Sequence, residues 1–225
     1  MRPWVLLDST SIPGKGGELR LYQRGDEFSI RIAGVGGELM NSRKHGSEDA
    51  LAELTCVRLK ESSNPRLLIG GLGMGFTLAA ALQHAGDHAQ VEVAELIPAV
   101  VEWNRGPLGE HAGYPVQDSR VVIHEGDVAR IIKSEQSAYD AIMLDVDNGP
   151  EGLTQKNNNW LYSMDGLISS YEALRPSGIL AVWSAGPAKD FLQRLRKIGF
   201  KVEEKRVYAY GNKGTQHVIW FARRD

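Results

Sequence analysis

The sequence predicts an α/β fold in which a doubly wound, mostly parallel sheet of seven strands follows a small N-terminal antiparallel β region. From Pro65 onward, short apolar runs without strict alternation recur between helical segments, which is typical of strands buried on both faces of a parallel sheet. Before Pro65, apolar and polar residues alternate in short segments separated by glycine, which is typical of a small antiparallel sheet. We therefore expect two units, residues 1–60 and residues 61–225.

The first unit contains two predicted strands and one predicted helix. The strands cover residues 17–23 and 27–32, and Arg24-Gly25-Asp26 forms the turn between them. Ser47 is predicted as the N-cap of a helix that continues to about Lys60, since Glu48 and Asp49 follow it in the first turn.

The second unit alternates between strands and helices. The predicted strands cover residues 66–70, 90–95, 120–124, 139–145 and 178–183, and the predicted helices cover residues 75–84, 98–105, a short segment after Asp127, 163–174 and 187–198. Two further strands, at 201–210 and 216–222, are joined by a turn, so the sheet should end in an antiparallel hairpin. Ligands of such sheets bind at the carboxyl ends of the strands, which is where candidate residues should be sought.

The composition indicates a globular protein and argues against several classes of function. The chain has 225 residues and a formal net charge of −2, which gives no support to a nucleic-acid or membrane-surface partner. Its one cysteine, Cys56, cannot form an internal disulfide, and no Cys/His cluster has the spacing of metal ligands, so we expect no metal. No segment approaches the ~20 apolar residues of a membrane helix, and we expect a soluble, cytoplasmic protein.

A glycine loop follows the strand at 66–70. Gly71, Gly73 and Gly75 are the candidate cofactor-binding glycines, because glycine lets a ligand lie against the main chain. The loop has no Lys-Ser or Lys-Thr pair, which excludes a Walker-type phosphate loop, and Phe76 replaces the third glycine of a dinucleotide-binding motif. A nucleoside ligand without phosphates, such as S-adenosylmethionine, fits better.

Two acids at strand ends are further candidates for cofactor binding. Glu95 lies 24 positions after Gly71, close to the separation of about 20 residues at which an acid binds ribose hydroxyls. Its alternative role is to cap the helix that begins at Pro98. Asp127 could contact an adenine amino group or serve only as the N-cap of its own helix.

Asp145 and Asp147 follow the strand at 139–145. Two carboxylates that lie two residues apart share a face of an extended segment, where they can bind an ammonium group or accept its proton. Asp147 belongs to an Asp-Asn-Gly-Pro sequence and has the alternative of a turn residue, so Asp145 is the stronger catalytic candidate.

From Pro65 onward the chain resembles the spermidine synthase (aminopropyltransferase) family within the S-adenosylmethionine-dependent methyltransferase superfamily. The similar stretches are Leu68-Ile69-Gly70-Gly71-Leu72-Gly73, Val93-Ala94-Glu95-Leu96-Ile97-Pro98, Gly126-Asp127, Tyr139-Asp140-Ala141-Ile142-Met143-Leu144-Asp145 and Glu172-Ala173-Leu174-Arg175-Pro176. The resemblance implies a Rossmann-like methyltransferase fold in which Glu95 binds ribose, Asp127 binds adenine and Asp145 is the base for an incoming amine.

The chain departs from the family where the substrate would bind. The family's glycine-loop aspartate is missing and Met74 lies near its position, while Leu51 and Ala52 align with a tyrosine and a histidine that precede the helix glutamate. These differences indicate a paralogue with a different acceptor.

Three residues beyond Asp145 and Asp147 are candidates for contact with the acceptor. They are His45, whose alternative is a solvated loop, Glu48 on the first helix, and Tyr162 in a lid formed with Asn157, Asn158, Asn159 and Trp160. Trp160 has the alternative of a core residue.

The sequence thus leads to one favoured function and two alternatives. The favoured hypothesis is a spermidine synthase-like transferase that uses S-adenosylmethionine or its decarboxylated form and an amine acceptor. The alternatives are an S-adenosylmethionine-dependent methyltransferase that acts on a small molecule and a non-catalytic nucleoside-binding protein. The expected partner is a small amine, with no nucleic acid or membrane, and a homodimer is left open.

Overall fold

The computed structural model describes residues 2–13, 17–34, 37–59, 63–146, 150, 160–210 and 213–225. These residues form a four-stranded antiparallel sheet and a seven-stranded mixed sheet. The α/β fold class predicted from the sequence is therefore confirmed, including the separate small β region.

The small sheet contains β1 (Val5–Ser11), β2 (Glu18–Arg24), β3 (Glu27–Ile32) and β4 (Met40–Asn41) in sequential order. Leu21 and Ile30 are partners across β2 and β3, and both are buried in the core. The alternating sequence pattern predicts β2 and β3, whereas β1 and β4 have no predicted counterpart.

Helix α1 (Gly46–Val57) begins one residue before the predicted N-cap. The prediction that Ser47 caps this helix was wrong: His45 occupies the N-cap, and the Ser47 hydroxyl donates to Glu48 inside the first turn. Gly46 lies against the backbone of Ala209, where an added Cβ would be only 3.0 Å from the carbonyl oxygen. The absence of a side chain at Gly46 thus allows the helix to start close to the large sheet.

The large sheet contains the seven strands β5 (Arg66–Gly70), β6 (Gln90–Glu95), β7 (Val121–Glu125), β8 (Tyr139–Leu144), β9 (Leu174–Ser184), β10 (Lys201–Tyr210) and β11 (Lys213–Arg223). Their spatial order is β10-β11-β9-β8-β5-β6-β7. Strands β5 to β9 pair in parallel, whereas β11 is antiparallel to both β9 and β10. The terminal hairpin is therefore confirmed.

Helices cover both faces of this sheet. They are α2 (Phe76–His84), α3 (Pro98–Arg105), α4 (Gly109–Ala112), α5 (Val128–Ser134), α6 (Met164–Ala173) and α7 (Lys189–Ile198), and a 3₁₀ turn occupies Pro115–Gln117. Leu67 and Ile69 of β5 belong to the core beneath α1 and α2, while Leu68 belongs to the core beneath α5, α6 and α7. All three side chains are fully buried, as expected for a strand covered on both sides.

The chain leaves β5 toward β6 on one side, and β8 lies on the other side of β5. In doubly wound sheets the crevice for a ligand opens where the strand order reverses, outside the carboxyl ends of the strands. None of the described helices is long and apolar enough to cross a membrane.

Candidate active site

A cavity of about 420 Å³ lies at the carboxyl ends of β5, β6, β8 and β9. Its lining comes from both sheets: Ile12, Ile30 and Met40 belong to the small sheet region, and Gly71 and Asp145 belong to the large one. Its volume is that of a site for a small molecule, for which cavities of roughly 300–1,000 Å³ are common.

The glycine loop brings the main chain close to the cavity. Gly71 has a φ of +92°, and a Cβ at this position would lie 2.5 Å from the carbonyl oxygen of Asp145. Gly73, with a φ of +53°, also lines the cavity and lies against Met40. Gly75 does not line it: this glycine begins α2 and packs against Asn104. Two of the three predicted glycines therefore face the cavity.

Glu95 is 7% exposed at the end of β6 and lines the cavity. Its carboxylate accepts hydrogen bonds from the backbone N–H groups of Leu72 and Ile97, each at 2.9 Å. Burial raises the pKa of Glu95, and the backbone N–H groups partly oppose this rise. Ile97 is the N-cap residue of α3, so this bond holds the residue before the helix, and within the described chain no side-chain cap hydrogen bond is found at the helix itself. Each carboxylate oxygen retains a lone pair for a ligand hydroxyl.

Asp145 directly follows β8, and its carboxylate accepts a 2.7 Å hydrogen bond from the Thr77 hydroxyl of α2. Its backbone N–H donates to the carbonyl of Gly70, which fixes the residue beside the glycine loop. Burial raises the pKa of Asp145, and the Thr77 hydrogen bond lowers it in part.

Glu48 joins Asp145 at the cavity from the first turn of α1. Burial, followed by repulsion from the Asp145 carboxylate, raises the pKa of Glu48 to about 7. Two carboxyl groups that repel each other in a partly dry site hold a proton readily or bind a cation. Leu51 and Ala52 are fully buried instead, and Glu53 is exposed, so Glu48 is the acid of this helix that faces the cavity.

The other predicted site residues lie elsewhere. Asp127 is the N-cap of α5, where it accepts from the N–H of Ala129, and it does not line the cavity. His45 contacts Asp49 at 2.7 Å and stacks on Phe76 with ring centroids 4.1 Å apart. Local contacts therefore account for the positions of both side chains, and neither residue lines the cavity.

Tyr162 is buried outside the lining, and its hydroxyl donates to the carbonyl of Val146, which does line the cavity. At Trp160, the other described residue of the predicted lid, the ammonium nitrogen of Lys133 lies 3.9 Å from the ring centroid. Asp147 and residues 157–159 of the predicted lid lie outside the described residues.

Sequence reasoning missed several residues of the lining. Among the polar and aromatic ones are Thr77, Trp183, His217 and Glu38. Lys44, which the sequence places beside His45 near the cleft, also lines the cavity, and its ammonium group is 2.9 Å from the Glu38 carboxylate. Thr77 lies inside a helix, and His217 and Trp183 lie within strands, so neither spacing nor turn chemistry distinguishes them from ordinary core residues.

The described lining is rich in negative charge. Glu38, Glu48, Glu95 and Asp145 contribute carboxyl groups, whereas Lys44 contributes the one ammonium group, which is paired with Glu38. Within the described ranges no group of three His, Cys, Asp or Glu side chains is arranged to hold a metal ion. The cavity thus favours a cationic ligand.

Comparison with solved structures supports the same fold. A spermidine synthase in complex with the transition-state analogue AdoDATO and the spermidine synthase from Thermotoga maritima each match with a TM-score of 0.75 and 18% identity. In both cases 98% of this chain is covered, against 72% and 73% of the other chain. A probable spermidine synthase from Corynebacterium glutamicum matches with a TM-score of 0.67 and 15% identity, over 97% of this chain and 79% of that chain.

Sequence comparison identifies the family. A search of curated proteins finds no match. The family model described as the spermine/spermidine synthase domain matches residues 49–206, which is more than half of the chain. The chain therefore belongs to the spermine/spermidine synthase domain family and is a transferase.

Proposed function

We propose that the protein transfers an aminopropyl group from decarboxylated S-adenosylmethionine to a small amine. The observation that carries this proposal is the cavity in which Glu48, Glu95 and Asp145 converge beside the glycine loop. Both reactants carry positive charge in solution, the donor as a sulfonium and the acceptor as a protonated amine, and an acidic cavity attracts both.

The donor fits the half of the cavity formed by β5 and β6. Glu95 is held by two backbone N–H groups and can accept hydrogen bonds from ribose hydroxyls with its remaining lone pairs. Gly71 and Gly73 leave room for the donor to lie against the main chain.

Asp145 is the proposed base. The acceptor nitrogen attacks the carbon next to the sulfonium, the new N–C bond forms as the S–C bond breaks, and methylthioadenosine leaves. The proton released by the amine passes to the Asp145 carboxylate. Thr77 orients this carboxylate, and the raised pKa of Asp145 improves it as a proton acceptor.

Methyl transfer from ordinary S-adenosylmethionine is a second candidate, favoured by one observation. Leu72 and Met74 line the cavity in the loop where the resemblance leads us to expect an aspartate for the donor's amine. A loop without this acid has no carboxylate to repel the carboxylate of the ordinary donor.

A product assay separates the two candidates. The purified chain is incubated with each donor and a panel of small amines, and the nucleoside product is identified by mass spectrometry. We expect methylthioadenosine, and S-adenosylhomocysteine would instead establish methyl transfer. If neither product forms with any amine, both transfer reactions are contradicted and the non-catalytic alternative is favoured.

The role of Asp145 is tested with Asp145→Asn. We expect turnover to fall by about 10²-fold or more, the range for loss of a general base, while the dissociation constant of the donor changes little. Glu53→Gln, at an exposed position of α1, is the matched control and should retain full activity. Full activity of Asp145→Asn would remove Asp145 from the mechanism.

A further inference from the structure

An ion pair between Glu38 and Lys44 lines the cavity on the side of the small sheet. Its charged atoms are 2.9 Å apart, and the Glu38 and Lys44 side chains are 23% and 49% exposed, so a ligand in the cavity can reach both. Lys44 precedes Glu48 by four residues, a stretch of chain that spans at most about 14 Å. One small ligand can therefore contact the ion pair while it also reaches Glu48 and Asp145.

Buried polar residues fix the position of the Glu38 carboxylate. Ser29 and Asn41 are buried and donate to its Oε2 at 2.9 and 2.8 Å, while Lys44 donates to its Oε1. Burial raises the pKa of Glu38, but these hydrogen bonds outweigh burial and lower the pKa below its usual value. The pair therefore presents a carboxylate and an ammonium group at neutral pH. Oε1 retains a lone pair and an ammonium group has three donors, so each partner can bind a ligand group while the pair stays intact.

The charges of the described lining fit a ligand that carries both signs at one end. Glu48 and Asp145 receive the reacting amine in the proposed function. A second ammonium group that bound to Glu38 would be repelled by Lys44, because the Lys44 ammonium lies 2.9 Å from the same carboxylate. An α-amino acid group has its ammonium and its carboxylate on one carbon atom, so the first can face Glu38 while the second faces Lys44. The pair thus favours a zwitterionic group over a single charge of either sign.

We propose that the acceptor is a basic α-amino acid, whose α-ammonium and α-carboxylate groups bind Glu38 and Lys44. This inference rests on the proposed function. The side-chain nitrogen of the acceptor forms the new N–C bond as the S–C bond of the donor breaks, and its proton passes to Asp145. Such an acceptor keeps a net positive charge before the transfer, which agrees with the acidic lining.

The test compares ornithine with two matched acceptors in the presence of the decarboxylated donor. The first, 1,4-diaminobutane, lacks the carboxylate, and the second, 5-aminopentanoate, lacks the α-ammonium group. We expect kcat/KM for ornithine to exceed both other values by about tenfold or more, the factor that one hydrogen bond between charged groups provides.

Variants of the ion pair separate its two halves. Lys44→Met removes the ammonium group and should abolish the preference for ornithine over 1,4-diaminobutane, whereas Lys44→Arg keeps the charge and should retain it. Glu38→Gln should abolish the preference for ornithine over 5-aminopentanoate. Lys197→Met changes an exposed lysine of α7 and should leave both preferences unchanged. Each preference is a ratio within one variant, so a lower amount of folded protein does not alter it.

The results that would overturn this inference are distinguishable from failure of the proposed function. Equal or better turnover of 1,4-diaminobutane by the unmodified protein would show that the pair does not bind the acceptor, and the proposed transfer would stand. A preference for ornithine that survives in both Lys44→Met and Glu38→Gln would also exclude the pair as its binding site. If Lys44→Met weakens only the binding of ordinary S-adenosylmethionine, the pair binds the amino acid end of that donor instead. Absence of any nucleoside product with all three acceptors would contradict the proposed function and this inference with it.

Discussion

Thr77 is the residue whose contribution is most open to a direct test, because it contacts Asp145 through one hydroxyl. The 2.7 Å hydrogen bond from Thr77 stabilises the ionised carboxylate and lowers its pKa against the effect of burial. In Thr77→Val the pKa of Asp145 should rise further, so the acidic limb of the profile of kcat/KM against pH should move to higher pH. We expect kcat at neutral pH to fall by about tenfold, the value of a hydrogen bond to a charged group.

Thr77→Ser is the control for this prediction, since it keeps the hydroxyl. It should restore the pH profile, which a purely packing role of Thr77 would not explain. An unchanged profile in Thr77→Val would mean that this hydroxyl does not set the protonation of Asp145.

The raised pKa of Glu48 predicts how the stability of the protein depends on pH. Its pKa is raised from the usual 4.5 to about 7 in the folded protein. The folded state therefore binds the proton more tightly than the unfolded state, and this contribution to stability is present below pH ~4.5 and is lost as the pH rises through ~7. Glu48→Gln removes the ionisation, so the free energy of unfolding at pH 8 should rise by on the order of 2 kcal/mol relative to the unmodified protein, with little difference at pH 4.5.

Urea unfolding at the two pH values measures this effect. Glu53→Gln changes an exposed glutamate of the same helix and should show no such dependence on pH. A stability difference for Glu48→Gln that is equal at pH 4.5 and pH 8 would contradict the burial and repulsion inferred for Glu48.

At the scale of single elements, the loop after β5 depends on Gly71. Its φ of +92° is unfavourable for any residue with a side chain, and a Cβ would lie 2.5 Å from the backbone oxygen of Asp145. Gly71→Ala should therefore destabilise the fold by about 2–4 kcal/mol, from backbone strain and a steric clash that the backbone must relieve. It should also displace Asp145 and reduce kcat.

Gly126→Ala is a matched control, because nothing lies within 4 Å of a Cβ there. Thermal and urea unfolding of both variants measure the difference. Equal stability of the two variants would show that the loop can move away from Asp145 at little cost.

The elements that the sequence predicted well are those with a strong local signal. Apolar runs bounded by glycine, proline or acidic residues located the central strands β5, β6, β8 and β9, because strands buried on both faces have few sequence alternatives. The turn between β10 and β11 located the terminal hairpin. Strand β1 lacks this signal: it reads Val-Leu-Leu-Asp-Ser-Thr-Ser, with Val5, Leu6 and Leu7 all exposed at the sheet edge. Its strand conformation depends on pairing with β2, which is a tertiary contact.

The same distinction applies to the candidate site. Glu95 and Asp145 could be identified because they end strands of a parallel sheet, where topology alone brings residues together. Trp183 and His217 meet through an antiparallel pairing between β9 and β11, and Thr77 reaches Asp145 from another layer. Their role depends on packing between distant segments, which no local pattern encodes.

At the scale of the whole molecule, the cavity is a junction between the two sheets. Met40 of β4 touches the glycine loop, and α1 carries Glu48 to the cavity while it packs against α2 and the terminal hairpin. The Arg58 side chain after α1 donates to Glu203 of β10 and lies over the ring of Phe221 in β11. A ligand that contacts Glu95, Asp145 and Glu48 together would therefore stabilise the junction between the two sheets and, with it, the folded chain.

This coupling predicts the thermal response to the donor. A ligand at 100 times its dissociation constant stabilises the folded state by about 2.7 kcal/mol, which for a chain of this length corresponds to a rise in Tm of roughly 5–10 °C. At equal concentrations of the two donors, decarboxylated S-adenosylmethionine should produce the larger rise, because its propyl chain ends in an ammonium group without a carboxylate that the acidic cavity would repel. Glu95→Gln, measured against its own unliganded Tm, should lose most of the shift, whereas Glu53→Gln should retain it. A larger shift with ordinary S-adenosylmethionine would favour methyl transfer, and negligible shifts with both donors would contradict the assignment of Glu95 and the glycine loop to donor binding.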